Sequence, residues 1–394
     1  MKLFIVLFFT LFCSLLGAGI VAPLLPVFAR NLGASALMIG FIFSGFSISR
    51  SVVLPAVGFL SDQFGRKHFI LLGLFSYIIV SIAYSLAKNP WNLFWVRLGH
   101  GMAAAMIVPV ASAYVGELSP EGQEGKYMGI LNVAIFLGLG VGPFTGGLIN
   151  DLWGMKTAFW TMAFLNFIGM MIVLLLVPGK KGTGKTKRSN SYLHILRSRR
   201  IVTLMVYRAS HFFGVGIIWT FIPLLSVEGH QLSTTQSGSL ISLSVLTATI
   251  LQAPIGRLSD SYNRKNIALW GGIFMVIAMI LIPLSHTLLL LYFAICLTGL
   301  AGGFISPAVS ALTVNEGRFQ NAMGTVMGIV LMGQSVGIMI GPIAAGAIAD
   351  HLGISIAFFS GALVALVALF FFLLVGEDST NGAAVEQALS FKEV

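Results

Sequence analysis

Five ionisable side chains lie inside long apolar stretches, where a charge is costly and usually marks a function. They are three arginines and two histidines: Arg50, Arg97, Arg208, His100 and His211. A buried guanidinium can hold an anionic group, and an imidazole can carry a proton because it titrates near neutral pH. We predict that the arginines face a substrate cavity and that the histidines are the groups available for proton coupling. A packing role for each histidine, and a surface-directed Arg208, remain open alternatives.

Carboxylates, unlike these arginines and histidines, lie outside the apolar stretches. All 13 Asp and Glu residues fall in loops, at helix ends or in the C-terminal tail. A buried carboxylate would complement an organic cation by charge, so the lack of one within the apolar stretches argues against a cationic ligand. A cavity with arginines and no carboxylate favours a neutral or anionic amphiphile.

Three uncharged polar residues in apolar stretches are further candidates for lining the cavity: Asn132, Gln252 and Gln334. For Asn132 and Gln334 the alternative is a hydrogen bond between neighbouring helices.

Two short polar loops repeat the same charges at matching places. GFLSDQFGRK at 58–67 is echoed by GRLSDSYNRK at 256–265. We predict that glycine allows close helix approach and chain reversal there. An Asp–Arg pair across the interface between two halves would then act as a gating latch; the alternative is that the basic residues only set topology. The residues concerned are Gly58, Asp62, Gly65, Arg66, Lys67, Gly256, Asp260, Arg264 and Lys265.

Other chemistries lack their signatures. GKKGTGKT at 179–186 satisfies the P-loop pattern, but an apolar helix precedes it and a basic tract follows, so we reject nucleotide binding. Cys13 and Cys296 have no metal-type spacing and are interpreted as structural. Without a clustered nucleophile, base or metal set, we expect neither an enzyme nor a cofactor.

The elements that must position these residues are membrane-spanning helices. Hydrophobic residues make up 57% of the chain and charged ones 9%, which excludes a water-soluble protein. Each span needs about 20 apolar residues. Twelve are predicted, at 4–27, 36–60, 69–87, 91–114, 127–149, 157–177, 202–227, 234–256, 267–285, 288–312, 322–347 and 355–375.

The net charge of +10 is placed as a membrane protein places it, not as a nucleic-acid binder does. With the N-terminus inside, 17 Lys and Arg residues lie in cytoplasmic segments and only Arg30, Lys88 and Lys156 lie on the opposite face. This bias predicts that both termini are cytoplasmic. The protein is therefore expected in the cell membrane, in contact with lipids.

A repeat divides the chain in two. Residues 58–150 recur 198–199 positions later. We predict an N-terminal six-helix half at 1–178, a basic cytoplasmic linker at 179–200, a second half at 201–376 and a cytoplasmic tail at 377–394.

The fifth span carries small residues at helical spacing, with a proline near the outer face. We expect them to allow close packing against span 11 or other neighbours. Asp151 and Asp350 follow the fifth and eleventh spans and are expected to cap helices 6 and 12. The packing residues are Gly129, Gly138, Gly142, Pro143, Gly146 and Gly147.

These motifs resemble those of the major facilitator superfamily over residues 1–376. GFLSDQFGRK resembles motif A, RLGHG from Arg97 resembles motif B with His100 where Gln is usual, and the glycine pattern matches motif C. Motif C is the signature of the drug/proton antiporter branch. The resemblance implies an all-α fold of twelve transmembrane helices in two pseudo-symmetric halves, and it implicates Arg97 in proton movement. Arg50 stands where the family more often has a neutral polar residue.

We therefore expect a secondary transporter that works by alternating access, as a monomer. The predicted activity is proton-coupled efflux of a small neutral or anionic amphiphile or drug. Alternatives are transport of lipids, lysolipids, sugars or metabolites by the same fold, and a membrane sensor that binds its ligand without moving it.

Overall fold

Twelve long α-helices make up nearly all of the computed structural model, which describes residues 2–120, 123–178, 198–320 and 322–375. All twelve are long and apolar enough to cross a membrane, which confirms the predicted all-α transmembrane fold. In chain order they are α1 Lys2–Asn31, α2 Ala36–Phe64, α3 Arg66–Leu86, α4 Pro90–Leu118, α5 Glu124–Trp153, α6 Met155–Leu176, α7 Arg199–Leu224, α8 Thr234–Ser261, α9 Arg264–Leu284, α10 Leu288–Phe319, α11 Met323–Leu352 and α12 Ile354–Val375.

With twelve crossings, the start of α1 and the end of α12 lie on one face, which we call the inner face in keeping with the charge bias. A π-helical turn, Leu225–Gly229, extends α7 at the outer face. The P-loop-like segment at 179–186, most of the predicted linker and the predicted tail lie outside the described residues.

Polar caps begin four helices at the outer face. The side chains of Ser35 and Ser233 cap α2 and α8, and those of Asn89 and Thr287 cap α4 and α10. Each accepts from a backbone amide three residues later, which satisfies one of the donors left free in a helix's first turn. The caps come in two pairs separated by 198 residues in the sequence, as the repeat requires.

Equivalent helices pack alike in the two halves. In the first half α1 contacts α5 and α6, α2 contacts α4, and α3 contacts α4 and α6. In the second half α7 contacts α11 and α12, α8 contacts α10, and α9 contacts α10 and α12. The halves meet mainly where α2 packs on α11 and α5 packs on α8. These four helices therefore flank any path through the molecule.

Candidate substrate site and gates

A buried cluster in the first half is centred on two residues one turn apart on α4. Arg97 Nη1 lies 3.3 Å from His100 Nδ1. The hydroxyl of Tyr84, on α3, lies 3.1 Å from the same nitrogen. Arg97 is 6% exposed and His100 is 1% exposed, so both groups are shielded from solvent and lipid. The spacing of three residues places both side chains on one helix face.

Aromatic rings surround this guanidinium. Arg97 Cζ lies 4.9 Å from the ring centre of Phe43 and 4.8 Å from that of Phe46, both on α2. A cation–π contact contributes about 0.5–2 kcal/mol, whereas an arginine in a membrane interior costs about 3 kcal/mol or more. Arg97 Nε and His100 Nε2 have no hydrogen-bond partner among the described residues. The cluster thus stabilises the cation only in part.

Arg50 adds a second positive charge to the same region. It lies on α2, one turn after Phe46, and is partly exposed. Arg50 and Arg97 both lie near the buried Tyr77. In the part of the chain that the structure describes, neither arginine has a carboxylate partner within ion-pair distance. The first half therefore concentrates positive charge where an anion could bind.

The second half contains a similar arrangement on α7. Arg208 Nη2 donates to Gln334 Oε1 at 3.2 Å, and Nη1 lies 3.5 Å from Ser310 Oγ. Arg208 Cζ lies 5.7 Å from the ring centre of Phe212. The predicted alternative of a surface-directed Arg208 is wrong in this conformation, because its side chain reaches across to α10 and α11. His211 is buried one turn later, and its Nδ1 has no partner among the described residues.

Two of the three uncharged polar candidates make no polar contact with the predicted site arginines, all of which the structure describes. Asn132 is exposed on α5 and Gln252 is partly exposed on α8. Within the described residues neither side chain forms a hydrogen bond, so the structure brings only Gln334 of the three into contact with a predicted site arginine. Their assignment to the cavity stays a prediction.

The first of the two polar loops forms a charge cluster inside its own half. Arg66 makes an ion pair with Asp62 and a second one with Glu117, on α4, at 2.8 Å. Arg66 Nη1 also donates to Ser61 Oγ at 2.8 Å. Gly65 joins α2 to α3 with φ +95°, a conformation that favours glycine.

The second loop repeats part of this arrangement. Arg264 Nε donates to Ser259 O at 3.0 Å, and Lys265 Nζ donates to Leu373 O at 3.0 Å, at the end of α12. Lys67 Nζ does the same to Leu174 O, at the end of α6. Both lysines thus bind the last carbonyls of a helix in their own half, where a positive charge is favourable.

The predicted close helix approach at Gly58 is wrong in this conformation. A β-carbon at Gly58 would have no other atom within 4 Å, and its counterpart Gly256 has only Pro307 Cβ, 4.0 Å away. Both glycines lie near the inner ends of α2 and α8, which means that these helix ends stand apart from their neighbours.

The glycines of α5 pack tightly only in its outer part. β-Carbons at Gly138, Gly142 and Gly146 would lie 2.9 Å or less from the backbone of α1. Gly129, nearer the inner end, has open space around it. The helix therefore packs on α1, and at Gly147 on α8, so the predicted partners of these glycines are other neighbours and not span 11.

At the outer face the two halves touch backbone to backbone. A β-carbon at Gly40 on α2 would lie 2.3 Å from Pro342 O on α11. A β-carbon at Gly238 on α8 would lie 2.1 Å from Pro143 O on α5. The two contacts are equivalent under the repeat. Together with the open inner glycines, they describe a molecule closed at its outer face and open between the inner ends of these helices.

Two acidic residues act differently from their predicted roles. Asp151 and Asp350 lie in the last turns of α5 and α11, and they cap the first turns of α8 and α2 in the opposite half rather than helices 6 and 12. Sequence reasoning missed this because adjacency along the chain favours the next helix. The signal in the sequence is the equivalent pair Ser35 and Ser233. Each immediately precedes the first residue of a helix at the outer face, and these are the helix starts that the aspartates cap.

Comparison with known proteins identifies relatives along the whole chain. A sequence model of the Major Facilitator Superfamily matches residues 7–210 and 204–393. The uncharacterized MFS-type transporter MJ1560 of Methanocaldococcus jannaschii is 30% identical over 89% of this chain and 92% of its own. Multidrug resistance protein 2 of Bacillus subtilis is 25% identical, over 97% of each chain.

A solved structure shows the same architecture. The crystal structure of the nucleoside transporter NupG superposes with a TM-score of 0.81, covering 96% of this chain and 100% of its own, at 15% sequence identity. At that identity the similarity concerns the fold alone.

Proposed function

The chain belongs to the major facilitator superfamily, and we propose that this transporter exports a small neutral or anionic amphiphile by alternating access, driven by protons. The multidrug resistance relative supports a drug-like cargo. The superfamily and the twelve spanning helices make it a multi-pass membrane transporter rather than an enzyme. Its residence in the cytoplasmic membrane, with both termini inside, is supported by the charge bias.

The observation that carries the cargo proposal is the set of arginines in the spans without carboxylate partners. Arg97 and Arg208 are held by aromatic rings and neutral polar groups, and each keeps an Nε without a partner among the described residues. An unpaired buried charge is unfavourable, so an anionic substrate would bind favourably near Arg97 and near Arg208 by neutralising their charges. The described carboxylates lie at helix ends, away from mid-span, which disfavours an organic cation.

Alternating access gives the polar loops a function in a second conformation. When the outer face opens and the inner ends of α2 and α8 approach their neighbours, Gly58 and Gly256 gain the close contacts that they lack here. We propose that the Asp62–Arg66 pair and the equivalent residues Asp260 and Arg264 then form an inner latch between the halves; the side chain of Asp260 lies outside the described residues. One chain contains both halves, so a monomer suffices.

Proton coupling is proposed for Arg97 and His100 in the first half, with His211 as a second candidate. His100 lies 3.3 Å from a guanidinium and 3.1 Å from the Tyr84 hydroxyl, so its protonation would change the charge of the buried cluster. A charge change there would alter both anion binding and the balance between conformations.

Binding and flux should be measured together. The purified protein is screened by thermal shift against anionic, neutral and cationic amphiphiles, including a lysolipid and a sugar, and the stabilising compounds are tested for flux in proteoliposomes. We expect an anionic or neutral amphiphile to stabilise the protein and to be transported. Binding without flux would instead identify a sensor, and flux of only the lysolipid or the sugar would identify one of the other cargoes.

A further inference from the structure

A carboxylate of the first half is bound to a helix of the second half at the outer face. Asp151, in the last turn of α5, accepts from the backbone amides of Thr234 at 3.2 Å and Thr235 at 2.8 Å. The hydroxyl groups of both threonines donate to it as well. Asn150 Nδ2 donates to Thr234 Oγ1 at 2.9 Å beside it. The end of α5 is thereby attached to the first turn of α8.

The second half returns the same contact. Asp350, in the last turn of α11, accepts from the backbone amides of Ala36 at 2.7 Å and Leu37 at 2.9 Å. Asp151 and Asp350 are equivalent under the repeat, and so are the helix starts that they bind. Both halves therefore contribute a carboxylate to one pseudo-symmetric junction.

These carboxylates complete caps that each helix cannot complete alone. The first four amides of an α-helix have no partner within the helix. Ser35 Oγ accepts from Met38 N, and Ser233 Oγ accepts from Gln236 N, which leaves the first two helical amides of α2 and α8 unsatisfied. Asp350 and Asp151 accept from those two amides. Their negative charge is also favourable at the positive end of a helix dipole.

We propose that Asp151 and Asp350 form an outer latch that stabilises the outward-closed conformation of the transport cycle. Each cap exists only while the outer ends of the two halves are in contact, so opening toward the outside must break both. This inference rests on the proposed alternating access. It gives the two aspartates a role in positioning the halves and none in contacting the substrate.

A third contact at the same face provides a matched control. Arg30 Nε lies 3.2 Å from Glu228 Oε1, and these residues are also equivalent under the repeat. Their side chains are 41% and 42% exposed. Exposed ion pairs contribute little because water and salt screen them. Glu228→Gln thus removes a carboxylate charge from the same face without removing a helix cap.

The test measures distances between the halves on both faces of the full-length protein in lipid nanodiscs. Cys13 and Cys296 are replaced by Ala, and spin labels are attached to new cysteines at exposed positions that are equivalent under the repeat. Electron paramagnetic resonance then measures the distance between the two labels of each pair. The outer pair is Lys88→Cys with His286→Cys, and the inner pair is His68→Cys with Asn266→Cys.

We expect the double variant Asp151→Ala/Asp350→Ala to gain a longer outer distance and a shorter inner distance. The ratio of outward-open to outward-closed molecules should rise roughly 2- to 30-fold for each lost cap. Asp151→Asn, which keeps an acceptor without the charge, should give a smaller change. Glu228→Gln should leave both distances as in the parent protein.

The proposal is overturned if the double variant keeps the parent distances, or if Glu228→Gln shifts them as much. Should the double variant fail to fold, the single variant Asp350→Asn in the same labelled background decides by the same two distances. Flux is recorded in parallel in proteoliposomes. If the parent protein transports no substrate but the outer distance still lengthens in the double variant, the outer latch is supported and the proposed transport function is refuted.

Discussion

The guanidinium of Arg97 is buried among aromatic rings and neutral polar groups. Phe43, Phe46, Tyr84 and His100 surround it, and none of them carries a negative charge. Its environment tolerates a cation in the membrane while leaving it able to attract an anion. Arg208 has an equivalent environment of a ring and neutral polar groups in the other half.

Arg50 should contribute to anion affinity. Arg50→Gln removes one of the two positive charges near Tyr77, so the Kd for an anionic substrate should rise roughly 10- to 100-fold, the loss expected for a charge-assisted hydrogen bond. Arg50→Lys should retain most of the affinity, and Arg257→Gln, at an exposed inner position, serves as the control for net charge. Ligand titration measures all three. An unchanged Kd for Arg50→Gln would reassign Arg50 to structure.

His100 should couple transport to protons. In His100→Gln the amide can keep a hydrogen bond to Tyr84 but does not titrate, so the response of transport to a pH gradient should disappear while exchange without a gradient persists. Tyr84→Phe, which keeps the imidazole, should retain the response. Proteoliposome flux with and without a gradient distinguishes them. Gradient-driven flux at the parental rate in His100→Gln would exclude an essential proton role.

At the scale of helices, close backbone contact at the outer face and open space at the inner face define the conformation. The α2–α11 and α5–α8 pairs approach closely through Gly40 and Gly238, and again through Gly346 and Gly147. The same α5 glycine pattern has an open member, Gly129, toward the inner end. Small residues thus permit closure wherever the two halves meet.

Gly40 should be intolerant of even a methyl group. Gly40→Ala places a β-carbon 2.3 Å from Pro342 O, so α2 and α11 must separate and the outward-closed population should fall. Gly129→Ala, with no atom within 4 Å, should leave that population unchanged. Accessibility of an outer-face cysteine to a membrane-impermeant reagent reports the change. Equal accessibility in both variants would contradict the packing account.

Sequence patterns predicted these elements well and their partners poorly. Apolar runs between polar loops specify all twelve helices, since a membrane leaves the backbone no other arrangement along such runs. The repeat also specifies which residues are equivalent, such as Arg66 and Arg264. It does not reveal that Asp151 reaches α8 or that Arg208 meets Gln334, because contacts between distant helices depend on how the halves tilt against each other.

At the scale of the whole molecule, the two halves are held together by caps and glycine contacts at one face. At the other face, Arg66 pairs with carboxylates of its own half, and Arg264 donates to Ser259 O within its own half. This asymmetry is what an alternating-access cycle requires of one of its end states. In the proposed outward-open state we expect the inner face to be closed by the polar loops and the outer contacts to be broken.

Asp62 should matter most in that complementary state. Asp62→Asn removes the ion pair with Arg66 and weakens the proposed inner latch, so transport should fall about tenfold, equivalent to about 1.4 kcal/mol, with the protein still folded and inserted. Flux and thermal unfolding are measured on the same preparation. Gln63→Ala, at the exposed neighbouring position, is the control. Parental flux in Asp62→Asn would remove the latch from the mechanism.

We expect the arginines in the spans, which have no carboxylate partner among the described residues, to favour export of anionic or neutral amphiphiles in exchange for protons. The most direct test of this expectation is the initial rate of transport in proteoliposomes for a matched pair of fluorescent amphiphiles that differ only in a carboxylate or an ammonium group, with and without a pH gradient. We expect faster, gradient-dependent transport of the carboxylate compound. Gradient-driven transport of the ammonium compound alone would contradict it.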